Sequence, residues 1–267
     1  MSKQAGKGTA LITGASSGIG ATYAKRLAWR GYDLLLVARD QQRLDALAKA
    51  LAEETGVQVA VLRADLIEEA DLAVVEQRLR DDAAITLLVN NAGVALNGSL
   101  SEAAAGQIAT LVNLNILALT RLSVAAAASF GARGEGAIIN IGSVVALIPE
   151  MFNAVYSASK AYVLSLSQTM RHELGPLGVQ VQAVLPGITR TEIWERTGID
   201  EANLAPEMIM EVGDLVDAAL VGFDLGEAVT IPSLPAVGDW EQFIAARGRL
   251  APNLSHSRPA ERYRKAG

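Results

Sequence analysis

The chain has 267 residues, 51% of them hydrophobic and only 4% aromatic, so a large core must be built mainly from Ala, Val, Leu and Ile. A formal net charge of −6 argues against a nucleic-acid partner, whose phosphates need clustered Lys and Arg. With no cysteine, disulfides and thiolate chemistry are excluded, and two distant histidines, His172 and His256, make a zinc site a poor expectation.

The N-terminal "MSKQAGKGTA" lacks an apolar signal-peptide core, and the expectation is a cytoplasmic protein. A strand is predicted at Thr9–Thr13, followed by Gly14, Gly18 and Gly20 and then a helix at Ile19–Arg30 that stops at Gly31. Glycines at such a junction let the backbone turn tightly and let a pyrophosphate approach the positive end of a helix, with Ser16 and Ser17 adding hydroxyls. A plain tight turn is the alternative reading. Strands follow at Asp33–Ala38, Val57–Ala64, Ile85–Asn90, Ala137–Gly142, Val179–Leu185 and Ala228–Pro232, with helices at Asp40–Glu54 and Ser157–Leu174. The strand candidates are near-continuous in apolar residues, as strands covered on both faces are. The alternation predicts an α/β fold: one Rossmann-type doubly wound parallel sheet of about seven strands in a single domain over residues 1–267, with helices on both faces. A substrate lid at about 188–225 and a C-terminal extension at about 233–267, whose final stretch "SHSRPAERYRKAG" is polar and basic, complete the expectation. The stretch Ala103–Thr120 carries no charge, but Gln107, Asn113 and Asn115 are costly in lipid, so a buried or subunit-facing helix is expected there and not a membrane span.

Tyr156 and Lys160 are four apart on a predicted helix and share a face. An ammonium beside a phenol favours phenolate and draws the phenol down from its usual value of ~10, making it a usable acid and base. An ordinary pair on a helix surface has the same spacing. Ser143 lies outside any Gly-x-Ser-x-Gly elbow and no histidine is placed to serve it, so hydrolysis is set aside.

The spacing Gly14-x-x-x-Gly18-x-Gly20 in "TGASSGIG" resembles the cofactor loop of the short-chain dehydrogenase/reductase family. "NNAG" at Asn90–Gly93, Ser143 after the fifth strand, "YSASK" at Tyr156–Lys160 and "PGITRT" at Pro186–Thr191 follow in the family's order. The resemblance covers roughly residues 8–232. It implies an oxidoreductase that transfers hydride between nicotinamide and a carbonyl or secondary alcohol, with Tyr156 as acid/base. Lys160 would hold the nicotinamide ribose, Ser143 the substrate oxygen, and Asn115 would serve a proton relay, with Asn113 as the other candidate. Gly14, Ser16, Ser17, Gly18, Ile19 and Gly20 would cradle the cofactor. Asp65, Leu66, Asn91, Ala92 and Gly93 would line its adenosine side, and Pro186, Gly187 and Thr191 would meet the carboxamide. Ala38 stands where the family's NAD enzymes carry an acid, and Arg39 suits a 2′-phosphate, so NADP (NADPH) is expected over NAD, with Asp40 pointing either way. Ile193, Trp194, Met208, Ile209, Met210 and the loop after Ser143 form an apolar pocket or simply pack the lid; an apolar ketone, aldehyde or alcohol is the expected substrate. A homodimer or homotetramer is expected, and a catalytically idle NADP-binding sensor is the rival function.

Overall fold

The computed structural model describes residues 7–191 and 205–264. Seven strands form one parallel sheet: β1 (Thr9–Thr13), β2 (Asp33–Ala38), β3 (Val59–Arg63), β4 (Ile85–Asn90), β5 (Gly136–Ile141), β6 (Val179–Val184) and β7 (Val229–Thr230). Their spatial order is β3-β2-β1-β4-β5-β6-β7. The chain grows outward in one direction from β1 and in the other from β4, so the topological switch point lies between them. In an open parallel sheet the crevice at the carboxyl ends of those two strands is where ligands bind.

Side chains alternate across the sheet with the period of two that a strand imposes. Ala10, Ile12, Leu34 and Leu36 face a core shared with α1 (Gly18–Trp29), α2 (Gln41–Thr55) and α7 (Val212–Asp224). Leu11, Leu35, Val37 and Ile138 face the opposite core, closed by α3 (Glu69–Asp81), α5 (Leu119–Arg133) and α6 (Ala154–Leu174). Both faces are thus covered, which explains the near-continuous apolar runs.

Several boundaries differ from the sequence expectation. The edge strand β3 is shorter than Val57–Ala64 because one side of it meets solvent, and β7 pairs over two residues only. Helix α6 starts three residues before Ser157, because Asn153 caps it. Residues 212–224, expected in the lid, are instead the core helix α7: Leu215, Val216, Ala219 and Leu220 are buried. The uncharged stretch becomes α4 (Ala105–Val112), a π-helical segment Asn113–Ala118, and α5 running on to Arg133. By length and composition Ala105–Arg133 is apolar enough to cross a membrane. Its Arg121, however, ties it to Glu76 of α3 at 2.6 Å, and Leu122, Ala125, Ala126 and Phe130 belong to the core of the sheet.

The chain divides into two compact units, one up to Pro232, which holds the whole sheet, and one from Ser233 onward. The second unit carries α8 (Val237–Gly248), on which the Trp240 and Phe243 rings stack at 5.5 Å.

Candidate active site

Thr13 ends β1 at the switch point. Its hydroxyl accepts the N–H groups of Asn91 and Ala92, each at 3.0 Å, and the Asn91 amide donates back to the Thr13 and Gly14 carbonyls at 2.9 and 3.2 Å. The loops after β1 and β4 are thereby stitched together. Gly14 has φ +64° and Gly18 φ +53°, the left-handed region that favours glycine. At Gly20 a Cβ would lie 2.4 Å from the Gly14 carbonyl oxygen, so only glycine lets α1 begin so close to β1.

Ser17 occupies the N-cap of α1 without bonding its side chain to the helix, and no acidic residue lies in the first turn. The helix end therefore offers unpaired N–H groups, a free cap hydroxyl and a positive dipole end. Ser16 and Ile19 are partly exposed beside it. The Thr191 methyl lies 3.5 Å from where a Cβ on Gly18 would sit, so the segment beginning at Pro186 and Gly187 reaches back over the glycine loop. This cradle fits a dinucleotide pyrophosphate.

Farther along the same edge, Arg39 follows β2 with its side chain 63% exposed, its guanidinium 3.7 Å from the Asp65 carboxylate. Asp40, which the sequence left ambiguous, caps α2 and accepts the Arg43 N–H at 3.0 Å. Leu66 is buried next to Asp65. Arg63, absent from the expected set, pairs in register with Ala38.

The catalytic candidates meet beyond β5. Ser143 leaves the strand as the cap of a single 3₁₀ turn, its hydroxyl accepting the Val145 N–H at 3.3 Å and donating to the Pro186 carbonyl at 3.4 Å. Tyr156 sits in the first turn of α6. Burial pushes its phenol up to about 12, and the Ser143 hydroxyl beside it pulls the other way. Lys160, one turn on, is buried, and its ammonium donates to the Ile141 carbonyl at 2.9 Å. It lies 5.6 Å from the centre of the Tyr156 ring. Burial brings the Lys160 ammonium down to about 8. The expected depression of the phenol by that ammonium is not found: burial raises the phenol, the Ser143 hydroxyl is what pulls it down, and burial alone lowers the ammonium.

Asn115 is the asparagine that enters the site. Its amide oxygen accepts the Val94 N–H at 2.9 Å, and its nitrogen donates to the Val94 carbonyl at 2.8 Å and the Ser159 hydroxyl at 3.3 Å. Asn113 is exposed. Gly93 passes so close that a Cβ there would be 3.2 Å from the Asn115 oxygen.

Three supporting residues escaped the sequence reading of the site: Thr13, Ser159, whose hydroxyl donates to the Tyr156 carbonyl at 2.7 Å, and Asn153. An Asn immediately before a helical pattern is a recognisable cap signal, so Asn153 was findable. On the substrate side the Phe152 ring stands edge-on to Tyr156 at 5.3 Å. Ile148, Met151 and Met208 are exposed, whereas Met210 packs against the core. Ile193 and Trp194 lie outside the described residues.

Comparison with known proteins agrees with this arrangement. The family model for short chain dehydrogenases matches residues 8–202. A solved short-chain dehydrogenase from Sphingobium yanoikuyae, in complex with NADPH, is 55% identical, with a TM-score of 0.93 over 96% of this chain and 100% of that one. A bulky-bulky ketone specific alcohol dehydrogenase from Comamonas testosteroni is 50% identical, with a TM-score of 0.88 over 96% and 98% of the two chains. Sulfoacetaldehyde reductase 2 of Chromohalobacter salexigens is 37% identical over 196 residues, 72% of this chain and 77% of its own length. A glycine cradle at the switch point, a serine, a tyrosine and a lysine gathered beyond β5, and a family match over most of the chain lead to one conclusion: the protein belongs to the short-chain dehydrogenase/reductase family of nicotinamide-dependent oxidoreductases.

Proposed function

We propose that this oxidoreductase reduces bulky apolar ketones to secondary alcohols with NADPH, using Tyr156 as the proton donor. The observation that carries the reading is the gathering of Ser143, Tyr156 and Lys160 at the carboxyl edge of β5, beside the crevice that the glycine loop opens. The bound nicotinamide supplies the hydride, or accepts it in the reverse direction. The Ser143 hydroxyl holds the carbonyl oxygen and stabilises charge as it develops there. The Tyr156 phenol, protonated at neutral pH, gives its proton to that oxygen. Lys160 favours the phenolate left behind by its charge, and its ammonium is oriented by Ile141. Asn115 holds the loop at Val94 and reaches Ser159 on the helix that carries Tyr156.

Support for NADPH over NADH comes from the exposed guanidinium of Arg39, from the engagement of Asp40 as a helix cap and from the NADPH in the Sphingobium structure. Support for a bulky apolar ketone comes from the specificity of the Comamonas enzyme and from Phe152 beside Tyr156. Exposed Val112, Leu117 and Val124 along α4–α5, with Tyr162 of α6 hydrogen-bonded to Thr120 at 2.8 Å, support a homodimer or homotetramer formed on this face. A cytoplasmic location goes with this reading.

The test is NADPH oxidation over a panel of aryl and branched ketones, with Tyr156→Phe alongside. The variant should bind NADPH normally and lose at least about a hundredfold in kcat, the usual scale of a general acid. Undiminished turnover in the variant would remove Tyr156 from the mechanism. Tight NADPH binding by the wild type without turnover on any ketone would favour the sensor.

A further inference from the structure

We propose that Asn153 is a positioning residue that locks the catalytic tyrosine and the loop after β4 into one unit. The proposal rests on the reading of Tyr156 given above.

Asn153 is the N-cap of α6 and is buried. Its amide oxygen accepts two backbone N–H groups, from Val155 at 3.0 Å and from Tyr156 itself at 3.2 Å. Its amide nitrogen donates to the carbonyl of Gly98 at 2.9 Å, 55 residues away in sequence. One side chain thus satisfies the first turn of the helix that carries Tyr156 and grips the loop that leaves β4.

That loop begins with Asn91, Ala92 and Gly93 at the switch point and runs to Ser99. It is held at two places by asparagine amides: at Val94 by Asn115 and at Gly98 by Asn153. Asn115 in turn reaches Ser159, whose hydroxyl bonds the Tyr156 carbonyl. Both pins therefore lead to the backbone of Tyr156, one to its N–H and one to its C=O. Lys160, one turn below, is fixed to the end of β5 through Ile141. The first turn of α6 is where the phenol's position relative to Lys160 and Ser143 is decided, and the first turn is what an N-cap holds.

The two halves of the Asn153 amide separate by substitution. Asn153→Ser keeps a short oxygen acceptor for the cap but cannot reach Gly98. Asn153→Ala removes both functions. For Asn153→Ser the expected result is a ketone KM raised about fivefold or more, with kcat within about twofold of wild type and an unchanged pH profile. For Asn153→Ala, kcat falls about tenfold as well, and the pH limb of alcohol oxidation moves to higher pH, because the phenol has left its place beside Ser143 and the helix end. NADPH affinity is measured in both variants to show that the cofactor cradle is intact, and Tyr156→Phe is run in parallel. If Tyr156→Phe retains activity, the mechanism itself fails. If Tyr156→Phe is dead while both Asn153 variants lose only thermal stability, keeping wild-type KM, kcat and pH profile, Asn153 is structural and the proposal is overturned. Equal loss of kcat in the Ser and Ala variants would likewise overturn the division of labour between the cap and the loop.

Discussion

Replacing Arg39 with Ala tests the cofactor assignment directly. The Arg39 side chain is 63% exposed and lies 3.7 Å from Asp65, a loose, solvent-screened pair that contributes about 0–1 kcal/mol and is readily redirected to a ligand. A guanidinium bonded to a phosphate is worth about 1.5–3 kcal/mol, and exposure puts Arg39 at the low end of that range. Its loss would weaken NADPH binding by about 1.5 kcal/mol, close to tenfold in Kd. The variant also leaves the Asp65 carboxylate without its cation near the 2′-phosphate, which pushes the loss upward. NADH has no 2′-phosphate, so its Kd should stay within about twofold. The assay is titration of both cofactors against wild type and variant, followed by the ratio of the two Kd values. An equal loss for NADH would mean that Arg39 acts on a part common to both cofactors. No change for either would mean that the 2′-phosphate lies elsewhere, and the argument from Ala38 and Arg39 would fall.

The phenol pushed up to about 12 stays protonated through neutral pH, while the Lys160 ammonium, brought down to about 8 by burial, is lost as pH rises through that value; ketone reduction should therefore be level below about pH 7 and fall on the alkaline side as Lys160 gives up its charge, whereas alcohol oxidation, which needs phenolate, should climb from acid pH toward neutrality; an oxidation optimum in acid would contradict the acid/base assignment. Gly20→Ala places a Cβ 2.4 Å from the Gly14 oxygen and 2.5 Å from the Asn91 nitrogen, so the cradle must shift; NADPH affinity should drop by about tenfold or more in a titration, with a lowered melting temperature. Asn115→Ala leaves the part-buried N–H and C=O of Val94 unpaired, at about 1–3 kcal/mol, which for a domain of this size lowers Tm by about 2–6 °C in a thermal melt, while Asn113→Ala on the exposed face should move it by no more than about 1 °C.

The fold was legible because it rests on patterns that belong to single segments. The apolar runs of β1, β2 and β4 appear in the structure with the boundaries read from the sequence. Glycines ended α1 and α2 where expected, Gly56 at φ +75°. What escaped was less periodic or more charged. Helix α3 packs into the core through Leu72, Val75 and Leu79 alone, set among charged neighbours, and it is further tied by Arg121 to Glu69 and Glu76, a pairing across about fifty residues that no local pattern announces. Helix α7 was hidden for the opposite reason: it follows a segment that reads as a lid, and only its packing against α1 reveals it as core, with Arg26 bonded to Asp217 at 2.6 Å.

The site divides along the same line. Residues whose role needs only a backbone property or a fixed spacing, such as Gly14, Gly18, Gly20, Tyr156 and Lys160, could be named from the sequence. Those whose role is to bond a distant backbone are harder to name: Asn153 was missed, and Asn115 is reached only through the family resemblance, as the two asparagines of the stretch Asn113–Ala118 show. In a regular α-helix, successive residues differ by about 100° in direction, and two positions two apart face nearly opposite sides. Helix geometry alone therefore says that one of Asn113 and Asn115 faces inward but not which one, and it is the family resemblance of the residues after Asn115 that favours Asn115. The π-helical winding of Asn113–Ala118 turns Asn115 toward the loop after β4, where the absence of a side chain on Gly93 leaves room for its amide. π-Helical turns interrupt the regular hydrogen-bond ladder and are found mostly at functional sites. Here the interruption coincides with the residue that holds Val94 and reaches Ser159. A winding that is costly for the helix persists where the buried bonds it makes to the β4 loop and α6 offset the cost. The helix geometry and the loop hold each other, and a reading of either segment by itself misses the bonds that join them.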